Sequence, residues 1–418
     1  MRLSALLVLL VISPAAFGDS SQFDVTGHTK LNVIGQSYPD NSVFRELLGS
    51  SAVDTQADAR LNFKWRNHGW AFDADYQLVF LQGDSVRIGS DLPIDVGNFL
   101  GRVPNDDRRA FNLTDVISDN GDNALVHRLD RLWLGYSSEK LVVRFGRQAL
   151  SWGNGLFYAP MDLVNPFDPA TIDTEYKAGD DMLYTQYLRD NGDDLQGTAV
   201  IRRNAITGDV DSGVATYALK YHGFAGELEY DILVAESYSD SVLGIGLGHS
   251  LGGAHWSADL VLTDTENDVY VQFVTNLSYS WTLAGKNMSG IIEYHYNGFG
   301  QSGSHYSPAD IASNPDLLTR VARGQMFTLG RHYFAGSVLV EVTPLWSVTP
   351  VVLANVGDPS ALFQLTTNYS LRENMVLLGS INLPMGSDGT EFGGIESGLP
   401  DVYLSSGLAV FAQFAWYF

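Results

Sequence analysis

The chain ends Leu408-Ala409-Val410-Phe411-Ala412-Gln413-Phe414-Ala415-Trp416-Tyr417-Phe418. Taken two at a time, Leu408, Val410, Ala412, Phe414, Trp416 and Phe418 share one face, which grows more aromatic towards the terminus. A repeat of two is that of a β-strand, whose successive side chains point to opposite faces. The same split recurs far upstream. Phe23, Val25, Gly27, Thr29, Leu31 and Val33 oppose Asp24, Thr26, His28, Lys30 and Asn32, and Ala57, Ala59, Leu61, Phe63 and Trp65 oppose Asp58, Arg60, Asn62, Lys64 and Arg66. Further on, Leu228, Tyr230, Ile232 and Val234 stand against Glu227, Glu229 and Asp231.

Composition agrees with a large β protein. The 418 residues include 42 glycines, 12% aromatics and only 17% charged side chains, with 48 acids against 25 bases. A net charge of −23 argues against nucleic-acid binding, which needs a basic face. The absence of cysteine excludes disulfide scaffolds and zinc-thiolate sites. Disorder is excluded by 45% apolar residues.

Residues 1–18 read as a secretory signal: Met1-Arg2, an apolar stretch from Leu3 to Phe17, and the small residues Ala16 and Gly18 before a cut at Asp19. Residues 19–418 are expected to form a single domain. Loss of Arg2 leaves 25 − 1 = 24 bases against 48 acids, hence a mature charge of −24. No later stretch of about 18 apolar residues offers a transmembrane helix, so any crossing of a membrane falls to the strands.

Short polar turns at 66–69, 137–140, 190–193, 222–223 and 252–253 alternate with long segments at 37–55, 82–127, 148–178, 302–325 and 387–400. Strands starting near 23, 57, 70, 129, 141, 182, 195, 214, 227, 242, 255, 269, 288, 331, 347, 361, 375 and 401 number 18, with 16 as the alternative. The expected fold is all-β: a transmembrane antiparallel barrel with short periplasmic turns and long outer loops. The terminal strand resembles the C-terminal signature of Gram-negative outer-membrane barrels, which end on Phe. That resemblance implies the outer membrane as location, with lipid, lipopolysaccharide and the barrel assembly machinery as partners. It implies an assembly signal at Phe414, Trp416 and Phe418.

A barrel of this width leaves a lumen, so passage of small hydrophilic solutes is the expected function. With the apolar parity towards lipid, the early strands line the pore with Lys30, Arg60, Lys64, Arg66, Arg131, Arg144 and Arg202. The later strands contribute Glu227, Glu229, Asp231, Asp259, Glu293 and Glu341. Opposite charges on opposite walls would set up a transverse field, unless local pairs such as Arg60 opposite Asp75 and Asn62 opposite Asp73 consume them. The segment 148–178 is too aromatic for a solvated loop. It is expected either to fold inward as a constriction, with Trp152, Asp162, Asp168, Asp173 and Glu175 in it and the acids facing Arg131, Arg144 and Arg202, or to cap the barrel rim and pack there.

Arg144-Phe145-Gly146-Arg147-Gln148, Ser151-Trp152-Gly153 and Asn165-Pro166-Phe167-Asp168-Pro169 resemble motifs of porin-like barrels related to the alginate-export family. The resemblance covers about 25 residues and implies an outer-membrane channel for an acidic sugar or another organic solute. The chain departs from a polyuronate exporter in its acidity and its lack of an arginine ladder.

Other chemistry is sparse. His28 and His295 are expected on the pore wall, and no hydrolase elbow, phosphate loop or H-E-x-x-H run occurs. No enzyme activity, cofactor or metal is therefore expected. Gly244, Gly246 and Gly248 lie in a strand rather than before a helix, and the acids at 190–194 and 264–268 are weak calcium candidates. The rival to a channel is an accessory barrel, its lumen plugged by loops 82–127 and 148–178, that anchors a surface polymer or an export partner.

Overall fold

The computed structural model describes residues 21–89 and 103–418, so the expected signal at 1–18 lies outside the described residues. In chain order the strands are β1 (Gln22–Ser37), β2 (Ser51–Asn67), β3 (Trp70–Gly83), β4 (Thr114–Asp119), β5 (Asn123–Ser137), β6 (Leu141–Gln148) and β7 (Asp180–Leu188). Then come β8 (Asp194–Val200), β9 (Thr216–Ala225), β10 (Leu228–Ser237), β11 (Asp240–Leu251), β12 (Ala254–Asp264), β13 (Val269–Leu283) and β14 (Lys286–Asn297). The last are β15 (His332–Thr343), β16 (Trp346–Asn355), β17 (Ser360–Arg372), β18 (Met375–Met385), β19 (Ile395–Glu396), β20 (Tyr403–Leu404) and β21 (Ala409–Tyr417). Short helices α1 (Val43–Leu48), α2 (Asp84–Gly89), α3 (Pro308–Ala312) and α4 (Pro315–Ala322) decorate the long-loop end.

Eighteen strands close into an antiparallel barrel. Each pairs with its neighbour in sequence, apart from β4, β19 and β20, and β1 pairs with both β2 and β21. Closure satisfies every strand edge, as a chain surrounded by hydrocarbon requires. The expected alternation holds: Leu31, Val33, Val410, Phe414 and Trp416 are exposed towards lipid, while Lys30, Asn32, Phe411 and Gln413 are buried on the lumen side. Two-residue turns at 68–69, 226–227, 252–253, 284–285, 344–345 and 373–374 mark one end, where β1 begins and β21 finishes.

Several expectations need correction. The last strand begins at Ala409 rather than near 401; Tyr403–Leu404 pairs instead with Ile395–Glu396 inside the final long loop. β4 was not foreseen: it hydrogen-bonds to the outer half of β5, extending the wall beyond β6. The first hairpin turns at His68-Gly69, so Asn62 faces Asp75 and Lys64 faces Asp73, two positions from the expected register. Arg60 still reaches Asp75 diagonally, at 3.0 Å.

Candidate functional site

The segment 149–179, between β6 and β7, lies inside the barrel and crosses it. Its apolar side chains find burial on the lumen face: Trp152 and Met161 pack with Leu233, Val242 and Val261, while Tyr158 packs with Tyr333, Val351 and Leu353. Each fully buried side chain of this size contributes about 1.5–3 kcal/mol, so the inner walls of β7–β12 and β15–β16 hold the loop as a hydrophobic core holds a helix. The lumen is thus not uniformly polar. A tight approach at β11 serves the same end: a Cβ on Gly246 would stand 2.7 Å from Asn154 Nδ2 and 2.9 Å from Asp259 Oδ1. The glycines of β11 make room for the loop.

Polar anchors fix it at both walls. Asp259 accepts from the backbone and side chain of Asn154, both at 2.7 Å. Glu293 accepts the backbone N–H of Leu156, Phe157 and Tyr158 at 2.6, 3.0 and 2.7 Å. Across the lumen, Lys30 of β1 pairs with Asp173 at 2.6 Å and Glu175 at 2.7 Å. Gln413 donates to Asp173, Tyr417 donates to Glu175 and Gln364 donates to Ala170 O.

These contacts rearrange the expected pairings. Asp162 and Lys177 bind each other within the loop. Burial pushes the Asp162 carboxyl up to about 6 against the pull of Lys177, and burial lowers the Lys177 ammonium against the pull of Asp162. Asp168 accepts from the N–H of Ala170. Trp152 sits in the apolar cluster and donates to Gln196 at 2.7 Å. None of the acids meets the expected arginines. Arg131 binds Asp130, Arg202 binds Asp180, and Arg144 lies over the rings of Trp133 and Tyr184. The reason is competition: Asp130 and Asp180 on the wall already hold Arg131 and Arg202, while Asp173 and Glu175 lie against Lys30 of β1.

Other wall residues also depart from a free pore lining. Asp259 and Glu293 are 0% and 1% exposed, covered by the loop they hold. Glu227 is exposed in the turn after β9, outside the strands, because charged turn residues stay in water. Glu229 and Lys64 are exposed near that same end, and Glu341 accepts from Asn287 there. Arg66 pairs with Asp73, and Asp231 takes Lys220 and His222. Acids and bases share the same wall, since Arg60 holds Asp130 at 2.7 Å as well as Asp75. Separate basic and acidic walls are therefore not what the geometry presents. His28 packs against Tyr176 and Tyr417, and His295 stacks on Tyr158 with centroids 4.9 Å apart. Among the described residues no three acidic or histidine side chains converge as metal ligands; Asp193, for one, takes Tyr221 and Asn191.

Sequence reasoning did not single out the rim network. Arg147 is 1% exposed, bridges Asp106 and Asp181 at 2.9 Å each, and donates to Phe111 O. Burial alone would raise the Asp106 carboxyl, yet the Arg147 and Arg109 guanidiniums hold it below the usual range. The bend that aims Arg147 inward is at Gly146, φ +123°, where a side chain would strike the backbone of Leu132. Glu391, on the final loop, was also missed: it accepts from Leu329 N, Asn355 Nδ2 and the Tyr333 hydroxyl, and burial pushes it up to about 7.

Between the loop and the seam-side wall (β16–β18, β21, β1–β3 and β5) remains a cavity of about 480 Å³, lined by Lys30, Arg60, Arg128, Asp58, Asp130 and Asp173 among others. Comparison with solved structures shows the same architecture. The barrel superposes on OccAB2 of Acinetobacter baumannii with a TM-score of 0.52 at 10% identity, covering 95% of this chain and 98% of that one. OccAB1 of the same organism gives 0.52 at 9% identity, with 95% and 96% covered. Wzi of Escherichia coli, described as an outer membrane protein involved in group 1 capsule assembly and a carbohydrate-binding β-barrel, gives 0.51 at 11% identity, with 95% and 84% covered. No protein-family model and no curated protein sequence matches the chain. The fold is that of an outer-membrane β-barrel of a Gram-negative bacterium.

Proposed function

We propose that the protein is a porin-like channel whose infolded loop 149–179 narrows the lumen to a charged eyelet beside β1. The observation that carries this reading is the span of the loop, tied to Glu293 on one wall and to Lys30 on the other, with a polar cavity of about 480 Å³ left at its edge. A narrow passage lined by such paired charges admits small polar solutes and excludes large ones. The acidic sugar implied by the Gly-Arg-Gln resemblance fits less well, because Lys30, Arg60 and Arg128 are each engaged by acids. Solute in the medium, outer-membrane lipid, lipopolysaccharide and the assembly machinery are the partners of this reading. Purified, refolded protein in planar bilayers should give ohmic steps; a flat trace from folded barrels removes the proposal.

A second reading is an accessory barrel with a closed lumen, anchoring a surface polymer or an export partner. The density of anchors on the loop, three N–H groups on Glu293 alone, favours it. The same bilayer experiment separates the two.

A further inference from the structure

The cavity beside the loop contains an unusual residue of unmet hydrogen bonds. Four buried atoms in its lining have no hydrogen-bond partner among the described residues: Nδ1 of His28, Oδ1 of Asn32, Oδ1 of Asp58 and Nδ2 of Asn382. Their residues are 1%, 7%, 7% and 4% exposed. Buried polar groups of native proteins are nearly always satisfied, so four orphans around one cavity call for a physical explanation. They come from three different strands of the seam-side wall, β1, β2 and β18, and so do not share one local defect.

Apart from Asp58 itself, the charged groups nearby leave little to offer a charged ligand. Lys30 is held by Asp173 and Glu175, Arg60 by Asp75 and Asp130, and Arg128 by Asp130 and Gln77. What remains is an amide N–H donor on Asn382, oxygen acceptors on Asn32 and Asp58, and an imidazole nitrogen able to take either role. An anion would need donors alone and a cation acceptors alone. A hydroxyl group both donates and accepts, and a ligand carrying several of them matches a mixed set. The rings of Tyr158 and Phe411, also in the lining, add apolar surface of the kind that covers C–H faces. At about 480 Å³ the space falls within the roughly 300–1,000 Å³ typical of small-molecule sites.

We propose that this cavity is a binding subsite for a neutral polyhydroxylated solute of mono- or disaccharide size. The inference rests on the channel reading in one respect, that solute reaches the cavity from the water outside. Occupancy itself is independent of conduction.

The test uses the full chain folded in detergent, with heat-modifiable electrophoretic mobility as the check on folding. Isothermal titration with maltose, glucose, glucuronate and glucosamine should show the two neutral sugars binding at least fivefold more tightly than the charged ones. Asn382→Leu removes the orphan donor and Asp58→Asn exchanges an acceptor for a donor. Each should weaken maltose about three- to tenfold, the range for one hydrogen bond, while Lys140→Ala at the opposite turn leaves it unchanged. Equal or tighter binding of glucuronate or glucosamine, no heat with maltose, or unaltered affinity in both cavity variants would overturn the proposal. Bilayer recordings keep the two claims apart: conduction without sugar binding removes only the subsite, whereas sugar binding to a silent barrel removes only the channel.

Discussion

Glu293 on β14 accepts the backbone N–H of Tyr158 at 2.7 Å, joining the barrel wall to a loop residue 135 positions earlier. The same carboxylate takes the N–H groups of Leu156 and Phe157, so one side chain satisfies three consecutive donors. Glu293→Ala strands them, at about 1–3 kcal/mol for a donor that stays buried. The expected result is a loosened loop and a larger single-channel conductance. Glu293→Gln keeps a carbonyl acceptor and should fall between. Unchanged conductance in a folded Glu293→Ala barrel would mean that the loop does not set the pore size. Gly246→Val offers an independent route to the same outcome, because its side chain meets Asn154 and Asp259.

Arg147 tests the rim. Its guanidinium is the shared counter-charge of Asp106 and Asp181. Arg147→Met leaves Asp181 without its counter-charge and Asp106 with Arg109 alone, and losing one partner of a buried pair costs about 3–5 kcal/mol. The urea midpoint should drop accordingly, and adding Asp181→Asn should recover part of the loss.

Acidity should tighten the outer loops. Burial raises Glu391 from an ordinary 4.5 to about 7 and Asp162 from 3.8 to about 6. A raised carboxyl means the folded state prefers the proton, so stability declines as pH climbs past the ordinary value and the loss is complete above the folded one. For Glu391 that window is about pH 4.5 to 7. Hydrogen exchange around residues 386–394, corrected for the intrinsic rate, should therefore show more protection at pH 5 than at pH 8. In Glu391→Gln the difference should shrink. Greater protection at pH 8 in the unaltered protein would contradict the assignment. Lys177, lowered by the same burial as Asp162, opposes the trend at its own site, so Glu391 gives the cleaner readout.

Phe418 exchanges two backbone hydrogen bonds with Gly27, at 2.8 and 3.0 Å, where the barrel closes. Deleting Phe418 removes both bonds and the terminal ring, whereas Phe418→Ala removes only the ring. If Phe414, Trp416 and Phe418 serve as the assembly signal, both changes slow the appearance of folded barrel in a pulse-chase, deletion the more. Equal rates for all three proteins would assign the aromatic face to lipid packing alone.

Much of the barrel was legible because one physical rule, apolar towards lipid at alternate residues, recurs along strand after strand. The rule has no purchase on the lumen side of β7–β12, where Leu233, Val242 and Val261 are also apolar, since they face the loop rather than water. That the loop turns inward was readable from Trp152, Phe157, Tyr158 and Met161, which need burial somewhere. Its partners were not, because Glu293 and Lys30 lie far from it in sequence and look like ordinary wall charges. In the sequence Gly244 and Gly246 read only as glycines within a strand. Their meaning was steric, and only the loop lying against them reveals it.

The pairing of β1 with β21 has a kinetic side. Gln36 meets Ala409 there, 409 − 36 = 373 residues away. The first strand of the barrel therefore waits for the last one, and no partial chain can form the seam. Such distant pairing carries a high contact order and a slow closing step. During that interval both seam strands present unpaired edges to every other chain nearby. Crossing an aqueous compartment in that state requires that something else hold those edges apart until the final residues arrive.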